Sequence, residues 1–421
     1  MRRAALLFFS GALVAAAARA QLTSDDVPQG RTIPAKEEVD ADMQAARFRL
    51  GPIRMIPTIS VRDAGYDNNV FGTTENPVSD WSFTIRGGFR FIVPFGAKVY
   101  LRASALPEYT WYDKLEERRG WGGLYEATLL GFFNRMTAQL RAYDQETFAT
   151  YSSEIPTRVL TRTQDASGGF EVELLKRLTF FAKAEGMRVR YDTNGQLPGD
   201  PVNLNDRTDT SIRGGPRYYL TPEWSVSAAV EQTWSDFVND PETRDNQSRA
   251  YLLGVQYTRP RLYLNLSGGY RTGDPRDSST FPAYSTGTGS FFASFFAIRW
   301  LELQAYGHRR VQYSLTSDNP YYFENRIGGA INLEVLGRVL LRGYGEAGPN
   351  QYPVGQAENG VVTHRRDQIT LFGGGASMIV VRPVVLTALV TRTEYNSNIA
   401  GQDRTITRFT INLAFTGELV R

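Results

Sequence analysis

The chain has 421 residues, a formal net charge of +3, 24 Phe, 22 Tyr, 39 Gly and no Cys. This composition excludes disulfides and thiolate chemistry, and the sequence shows no basic motif of the kind that binds nucleic acid. After the N-terminus no stretch approaches the ~20 consecutive apolar residues of a transmembrane helix. The mean hydropathy of −0.34 excludes a helical membrane protein but not a β-barrel, because half of each barrel strand faces water.

The first 20 residues have the features of a secretory signal peptide. Arg2 and Arg3 form its charged region, residues 4–17 its apolar region, and an A-x-A site at 18–20 predicts cleavage after Ala20. A membrane anchor is the alternative, which the short length and the small residues at the end of the segment disfavour.

The segment after the cleavage site, residues 21–46, is polar and acidic with two prolines, and we predict a flexible periplasmic leader there. The remaining chain, 47–421, shows the same sequence pattern throughout and no interdomain linker, and it is predicted to form a single domain. The predicted location is the outer membrane of a Gram-negative bacterium.

Short turn signals recur along this domain at intervals of about 40 residues, the spacing of two strands plus one longer loop. They lie at Pro94-Phe95-Gly96, Asn134-Arg135, Lys176-Arg177, Thr221-Pro222, Arg259-Pro260, Arg299-Trp300, Leu336-Gly337 and Arg382-Pro383. Between them lie longer segments whose Asp, Asn, Pro, Gly and Ser content is typical of loops. These segments are 63–79, 113–120, 151–157, 192–206, 237–246, 273–284, 314–320, 348–364 and 396–404.

The alternation of long loops and short turns predicts an all-β fold, a transmembrane antiparallel up-and-down β-barrel of about 18 strands within a range of 16–18. The strand at about 51–62 is predicted to close the barrel against the strand at about 405–416. A soluble sandwich would show similar alternation. The strands indicated here, however, are about 11–15 residues long and exceed the usual ~5–6 residues of soluble sheets.

The segment 222–236 shows the strand pattern most clearly. Its apolar face begins with Trp224 and ends with Trp234, and the opposite face is polar. At about 3.3 Å per residue and a tilt near 40°, the two Trp residues lie about 25 Å apart along the barrel axis, the height of an apolar membrane band. The strands at 284–298 and 366–381 are apolar on both faces, so their faces stay unassigned. The predicted membrane girdle comprises Trp81, Tyr109, Trp111, Trp224, Trp234, Tyr270 and Phe415.

The polar face of the strands predicts the lumen, which in a barrel of this size is wide enough for water. Its Arg excess favours anionic solutes, because rings of Arg or Lys select anions. The alternative is that Arg and Glu pair across neighbouring strands and rigidify the wall. The predicted lumen and selectivity residues are Arg86, Arg90, Arg102, Arg213, Arg217, Glu231, Glu302, Arg310, Arg326, Arg338 and Arg342.

Catalytic chemistry has little support in this sequence, whose only two histidines are His308 and His364. His308 falls on a predicted lumen face, where a base could act, but a solitary histidine there is more often a plain polar residue. The sequence contains no G-x-S-x-G, no H-E-x-x-H and no phosphate-binding glycine loop. We therefore predict a protein that is not an enzyme and has no cofactor and no metal.

The start of the predicted barrel resembles the opening of the putative β-barrel porin 2 family. The residues that carry this resemblance are Arg-Phe-Arg-Leu-Gly-Pro-Ile-Arg-Met-Ile-Pro-Thr-Ile-Ser-Val at 47–61 and Gly-Tyr-Asp-Asn-Asn-Val-Phe at 65–71. The resemblance is specific over roughly residues 47–92 and architectural beyond them. It implies an outer-membrane barrel, and some relatives are linked to capsule or exopolysaccharide export. The family has no agreed catalytic residues to transfer.

The C-terminus departs from the usual pattern, in which the last residue of a barrel is an aromatic that the assembly machinery recognises. Here Phe415 is followed by Thr-Gly-Glu-Leu-Val-Arg. The predicted partners are outer-membrane lipid, the barrel-assembly machinery and, in the case of export, periplasmic polysaccharide-export proteins. Nucleic acid is not among them.

The leading functional prediction is a porin-like channel for the passive passage of small hydrophilic solutes. The first alternative is the outer-membrane barrel of an exopolysaccharide or capsule export system, for which lumen aromatics such as Tyr219, Tyr306 and Tyr344 would offer stacking surfaces to sugars. The second alternative, a barrel enzyme, depends on His308 as its base.

Overall fold

A computed structural model of the chain describes most of the predicted barrel domain. The predicted signal peptide and the first part of the predicted leader lie outside the described residues. The described residues are 36–150, 152–154, 157–192, 202–276, 282–315, 319–358, 361–381 and 383–416.

Within these residues the chain forms one antiparallel sheet with a few short helices. The helices are α1 (Lys36–Ala45) and α2 (Pro241–Arg244), with 3-10 turns at Glu116–Arg118 and Val202–Asn205. The strands are β1 (Phe48–Leu50), β2 (Ile53–Asp67), β3 (Asp80–Phe95), β4 (Val99–Tyr112), β5 (Gly120–Phe132), β6 (Met136–Thr150), β7 (Arg158–Leu175), β8 (Leu178–Asp192), β9 (Arg207–Tyr219), β10 (Trp224–Phe237), β11 (Asn246–Arg259), β12 (Leu262–Pro275), β13 (Tyr284–Ile298), β14 (Leu301–Tyr313), β15 (Tyr321–Val335), β16 (Val339–Glu358), β17 (Val361–Val381), β18 (Val384–Ser397) and β19 (Arg404–Thr416).

Strands β2 to β19 close into an 18-stranded antiparallel barrel. Each strand pairs with the next along the chain, and β19 returns to pair with β2, which places Phe409 opposite Tyr66 and Phe415 opposite Ile59. Closure leaves the barrel without an unpaired edge strand. The predicted fold class, the count of 18 strands and the predicted closing pair are confirmed.

The strands alternate between an apolar outer face and a polar inner face, as the sequence pattern predicts. In β10, Val230 points outward and is 48% exposed, whereas Ser225 and Ser235 point inward and are 7% and 2% exposed. An outer surface that exposes large apolar side chains suits a bilayer, which would cover them. The alternation also resolves the two strands of unassigned face. Ser294 of β13 and Ser377 of β17 point inward, where they hydrogen-bond to Glu302 at 2.6 Å and to Thr387 at 2.8 Å.

The two ends of the barrel differ in the length of their connections. At one end the strands are joined by short turns, such as the one at Leu336 and Gly337, whose φ values of 52° and 64° suit a tight hairpin. At the other end lie the long connections, several of which contain residues outside the described ranges. The two ends are called the short-turn end and the long-loop end below.

Helix α1 lies in the lumen, against the inner face of the barrel wall near the short-turn end. Its Val39 is fully buried in a cluster with Ile92, Tyr100 and Leu130 of β3, β4 and β5. The structure thus differs from the flexible leader predicted for residues 21–46, whose last 10 residues before Ala46 are helical. The helix is ordered by an apolar pocket on the barrel wall, and the polar composition of the leader alone does not reveal that pocket.

Candidate functional site

The residues predicted for the lumen occupy inward-facing positions of the strands, with one exception. Arg338 lies in the exposed turn between β15 and β16, where its backbone N–H donates to the carbonyl of Val335 at 3.2 Å. The alternation that places Arg342 inward applies only within β16, which begins at Val339, so Arg338 has no inward-facing position. The residues with inward positions are Arg86, Arg90, Arg102, Arg213, Arg217, Glu231, Glu302, Arg310, Arg326 and Arg342.

A polar cavity of about 1010 Å³ occupies one side of the lumen. It extends along the inner faces of strands β6 to β13, and Lys36 and Glu37 of α1 bound it near the short-turn end. Charged side chains from five neighbouring strands line it, among them Arg141, Lys183, Arg213, Arg217, Glu171 and Glu231. The cavity has the size of a small-molecule site and a lining that water and polar solutes can wet.

The charges around this cavity are paired between and along the strands. Arg217 of β9 lies 2.7 Å from Glu171 of β7, and Lys183 of β8 lies 2.7 Å from Glu185. Glu231 accepts a hydrogen bond from Arg271 of β12. These contacts match the alternative in which Arg and Glu pair across the wall, and they leave little net positive charge at this part of the lumen.

Glu171 shows how closely such a group is held. Besides Arg217, it accepts hydrogen bonds from Thr179 at 2.8 Å and from the hydroxyl of Tyr219 at 3.2 Å. The guanidinium of Arg217 lies 5.1 Å from the ring centre of Phe181. Since several donors satisfy the carboxylate at once, its orientation on the wall is fixed.

Beyond the end of this cavity, Glu324 of β15 is the centre of a buried charge network. Arg310 donates to its carboxylate at 2.6 Å, Arg326 lies 3.4 Å away, and His308 Nε2 lies 3.2 Å away. From the sequence, Arg310, Arg326 and His308 are named separately, and the carboxylate that joins them is missed. The alternation of β15, which places Arg326 inward, assigns Glu324 to the same face and could have identified it.

Arg86 and Arg102 complete the inner wall of β3 and β4. Arg86 lies 2.6 Å from the buried carboxylate of Glu108, which also accepts a hydrogen bond from Thr147 of β6. Arg102 lies 3.1 Å from Asp42 of α1. These arginines therefore have structural partners, and any role in solute selection is shared with those partners.

At the long-loop end, two connections meet inside the mouth of the barrel. Residues 152–154 follow β6 and residues 314–315 follow β14, which stand on nearly opposite sides of the barrel. Ser314 donates to the Glu154 carboxylate at 2.9 Å, and the Leu315 backbone N–H donates to it at 3.1 Å. We call these two segments the mouth bridge. They cross the lumen mouth, so they limit its cross-section.

The mouth bridge is anchored to the wall by further polar contacts. The hydroxyl groups of Ser153 and Tyr322 of β15 lie 3.2 Å apart, and Arg365 of β17 lies 3.5 Å from Glu154. Arg244 of α2 donates to the carbonyl of Ser314 at 2.7 Å. Burial raises the pKa of the Glu154 carboxyl above its ordinary value of 4.5, although the guanidinium of Arg365 acts in the opposite direction.

The outer face carries aromatic side chains in contact across neighbouring strands. Trp224 lies 4.5 Å from Tyr257, and Tyr109 lies 5.1 Å from Trp121, measured between ring centres. Trp121, at 72% exposure, was missed because its strand is rich in glycine and gives a weak alternation signal. The residues predicted for the girdle all occupy outward-facing positions: Trp81, Tyr109, Trp111, Trp224, Trp234, Tyr270 and Phe415.

Two other features, a membrane-spanning helix and a metal-binding cluster, are not found among the described residues. None of the described helices has the length and apolar character needed to cross a membrane. The described side chains form no group of three or more His, Asp or Glu that could hold a metal ion. His364 lies on β17, and the amide of Asn398 donates to its backbone carbonyl at 2.8 Å.

Several solved structures share this fold. The crystal structure of Acinetobacter baumannii OccAB3 matches with a TM-score of 0.50 and 10% identity over 86% of this chain and 98% of that chain. A BenF-like porin from Pseudomonas fluorescens matches with a TM-score of 0.50 and 10% identity over 88% and 100%. Pseudomonas aeruginosa OccK2 (OpdF) matches with a TM-score of 0.51 and 11% identity over 87% and 98%. At such identities the likeness concerns the fold alone.

Sequence comparison gives the family. No curated protein matches the chain. The family model described as Putative beta-barrel porin 2 matches residues 135–416, from just before β6 to the end of β19. This region differs from residues 47–92, where the resemblance is most specific, so the family prediction is confirmed on other residues. With two thirds of its length matched, the chain belongs to the Putative beta-barrel porin 2 family.

Proposed function

We propose that this protein is an outer-membrane porin through which small hydrophilic solutes diffuse passively. The observation that carries the proposal is the polar cavity of about 1010 Å³ inside a closed barrel whose outer face is apolar. Such a barrel can hold a water-wetted path while its outer face contacts lipid. The likeness of the fold to a solved BenF-like porin supports the same function.

The proposed orientation follows from the two ends of the barrel. In bacterial outer-membrane barrels the short turns face the periplasm and the long loops face the outside. The mouth bridge then lies on the external side and α1 on the periplasmic side. Export through a signal peptide cleaved after Ala20, and assembly by the barrel-assembly machinery, are parts of this proposal.

The pairing of lumen charges supports selection by size and polarity over selection by charge. A pair such as Arg217 and Glu171 presents both signs at 2.7 Å, so its field falls off quickly into the water-filled path. A polar neutral or zwitterionic solute could exchange hydrogen bonds along such a wall without a large electrostatic barrier. Strong anion selectivity, which the Arg excess favours, has less support than it had from the sequence.

Single-channel recording on the purified protein in planar lipid bilayers tests the proposal. We expect discrete conductance steps, which a lumen-narrowing substitution should reduce. Ser227→Trp adds bulk to the cavity lining, whereas Ala228→Trp adds the same bulk to the outer face of the same strand. A folded barrel without conductance, or equal effects of the two variants, would contradict the proposal.

Polysaccharide export is a second candidate, and one part of the cavity favours it. Tyr219 and Phe181 both line the cavity beside Arg217, which places aromatic surface next to hydrogen-bonding groups, as sugar sites require. Tyr306, another aromatic of the sequence prediction, is 5% exposed and packs in the wall. Oligosaccharide added to one side of a bilayer should then block the current, and Tyr219→Ala should weaken the block relative to Tyr306→Ala. Unaltered current in the presence of oligosaccharide would remove this candidate.

A further inference from the structure

Helix α1 occupies a specific seat on the inner wall at the short-turn end. Val39 is 0% exposed and packs into a cluster with Ile92, Tyr100 and Leu130, which come from three consecutive strands. A buried valine in a pocket built by three strands indicates that the helix docks at one place and in one orientation.

Polar contacts hold the same helix to β4. The hydroxyl of Tyr100 donates to Asp40 at 3.1 Å, and Arg102 lies 3.1 Å from Asp42. Tyr100 and Arg102 are successive inward positions of one strand, and Asp40 and Asp42 are two residues apart on the helix. Two matched polar contacts fix the register of the helix against the wall, in addition to the apolar contact of Val39.

The docked helix also forms part of the boundary of the cavity. Lys36 and Glu37, in its first turn, lie on the cavity lining together with Arg217 and Glu171 of the wall. An α-helix with its side chains is about 10–12 Å across. A body of this width beside the cavity narrows its exit at the short-turn end.

Part of the contact surface between α1 and the wall is accessible to water. The helix has 10 residues, and isolated helices shorter than about 12–15 residues are marginal in water, so α1 depends on its seat for its structure. The side chains of Arg102 and Asp42 are 38% and 29% exposed, so water competes for their contact. Unlike the strands, the helix adds no hydrogen bonds to the barrel ladder, so its release leaves the barrel closed.

We propose that α1 is a releasable plug that narrows the periplasmic exit of the channel when it docks on the Ile92–Tyr100–Leu130 seat. Docking keeps the conductance low, and undocking raises it. This inference rests on the proposed porin function. It adds a device at the end of the barrel opposite the mouth bridge.

Charge substitutions in the full-length chain test the plug. Arg102→Asp places two carboxylates against each other at the seat, and Val39→Asp places a charge in the apolar pocket. Each should raise single-channel conductance, by about two-fold if the helix blocks half of the exit. The double variant Asp42→Arg, Arg102→Asp restores the pair with reversed partners and should return the conductance to that of the unaltered protein. The double variant separates docking from the loss of one lumen charge.

A disulfide lock gives a second, independent measurement. The chain has no Cys, so Val39→Cys, Leu130→Cys introduces the sole pair available for oxidation. Oxidation should hold the conductance low and suppress its fluctuations, and reduction should reverse both effects. In each single Cys variant, the conductance should not change on oxidation or reduction. Heat-modifiable migration on gels verifies that every variant is a folded barrel.

The outcomes separate the plug from the porin function. If the unaltered protein conducts and folded Arg102→Asp and Val39→Asp conduct equally, the plug is overturned and the porin function stands. If none of the folded proteins conducts, the porin function itself fails and the plug fails with it. A silent unaltered protein whose seat variants conduct supports both.

Discussion

The Leu315 backbone N–H donates to the Glu154 carboxylate at 3.1 Å, although the two residues follow strands on nearly opposite sides of the barrel. This bond and the neighbouring bond from Ser314 tie two connections of the long-loop end together across the mouth. A carboxylate that is 3% exposed depends on these partners, because a buried charge without them is costly. The mouth of the channel is therefore sensitive to the protonation of one residue.

Conductance should depend on pH through Glu154. Burial raises the pKa of its carboxyl in the formed mouth bridge, so the formed bridge binds this proton more tightly than a bridge whose two segments have separated. The formed mouth bridge is therefore most stable at pH below the ordinary carboxyl pKa of 4.5, and it loses stability as pH rises through the raised pKa. Because separation of the two segments widens the mouth, conductance should rise with pH over this interval.

The variant Glu154→Gln is the control for this prediction. Its carbonyl oxygen can still accept from the Leu315 N–H, and its NH2 group can donate to the hydroxyl of Ser314, which then acts as the acceptor. The variant has no titratable proton, so its conductance should not follow pH in the same interval. Other groups face Glu154, including Arg365 and Tyr352 of the wall, and they are unchanged in the variant. Equal pH dependence in both proteins would assign the effect to another group.

Charge reversal should separate wall residues from turn residues. Arg217→Glu converts the pair with Glu171 into two carboxylates on the cavity wall, so cations should be favoured. The effect on ion occupancy should be about 1 kcal/mol, roughly five-fold, for charges this close to a water-filled path. Reversal potentials in a salt gradient measure it. Arg338→Glu, in the exposed turn, should leave the reversal potential near its original value.

The two faces of β10 should respond differently to one added charge. Val230→Arg places a guanidinium on the outer face near the middle of the strand, where lipid contact should cost about 2–4 kcal/mol. Ser227→Arg places the same group in the cavity, where water solvates it. Denaturant unfolding of both variants in lipid vesicles gives the difference. Equal losses of unfolding free energy would mean that the outer face does not contact lipid.

The seam between β2 and β19 should tolerate no side chain at Gly65. A Cβ there would overlap the carbonyl oxygen of Phe409, which is backbone and cannot move without opening the seam. Gly65→Ala should therefore destabilise the barrel by about 1–3 kcal/mol or more, the range for overpacking. Gly268→Ala meets nothing within 4 Å and is the matched control. Thermal melting of the two variants, read by gel migration, distinguishes them.

Much of this fold follows from the sequence, because the physical rule behind it is local. Side chains alternate in a strand whatever its partners are, so Ser225 and Val230 can be assigned to opposite faces without a structure. The turn at Leu336 and Gly337 is local as well, because its composition suits the backbone angles that the turn needs. Strand count and closing pair then follow from counting such turns and strands.

The rest depends on contacts between distant residues, which no local pattern encodes. In the sequence, Glu154 belongs to a polar connection like any other, and its role is visible only in its contact with Leu315 from the far side of the barrel. The seat of Val39 requires three strands to be in place before it exists. Arg338 shows a limit of the local pattern itself, since alternation gives the face of a residue within a strand but not the residue at which the strand begins.

The seam has a consequence for how the protein folds. Asp67 and Arg408, joined by a hydrogen bond of 2.9 Å, are 341 residues apart in the chain. The first strand cannot complete its pairing until β19 reaches it, and until then both strands expose unpaired N–H and C=O groups. Contacts of such long range slow folding and invite aggregation. We expect closure to be the rate-limiting step, with a chain that stays bound by a chaperone or by the membrane until β19 is in place.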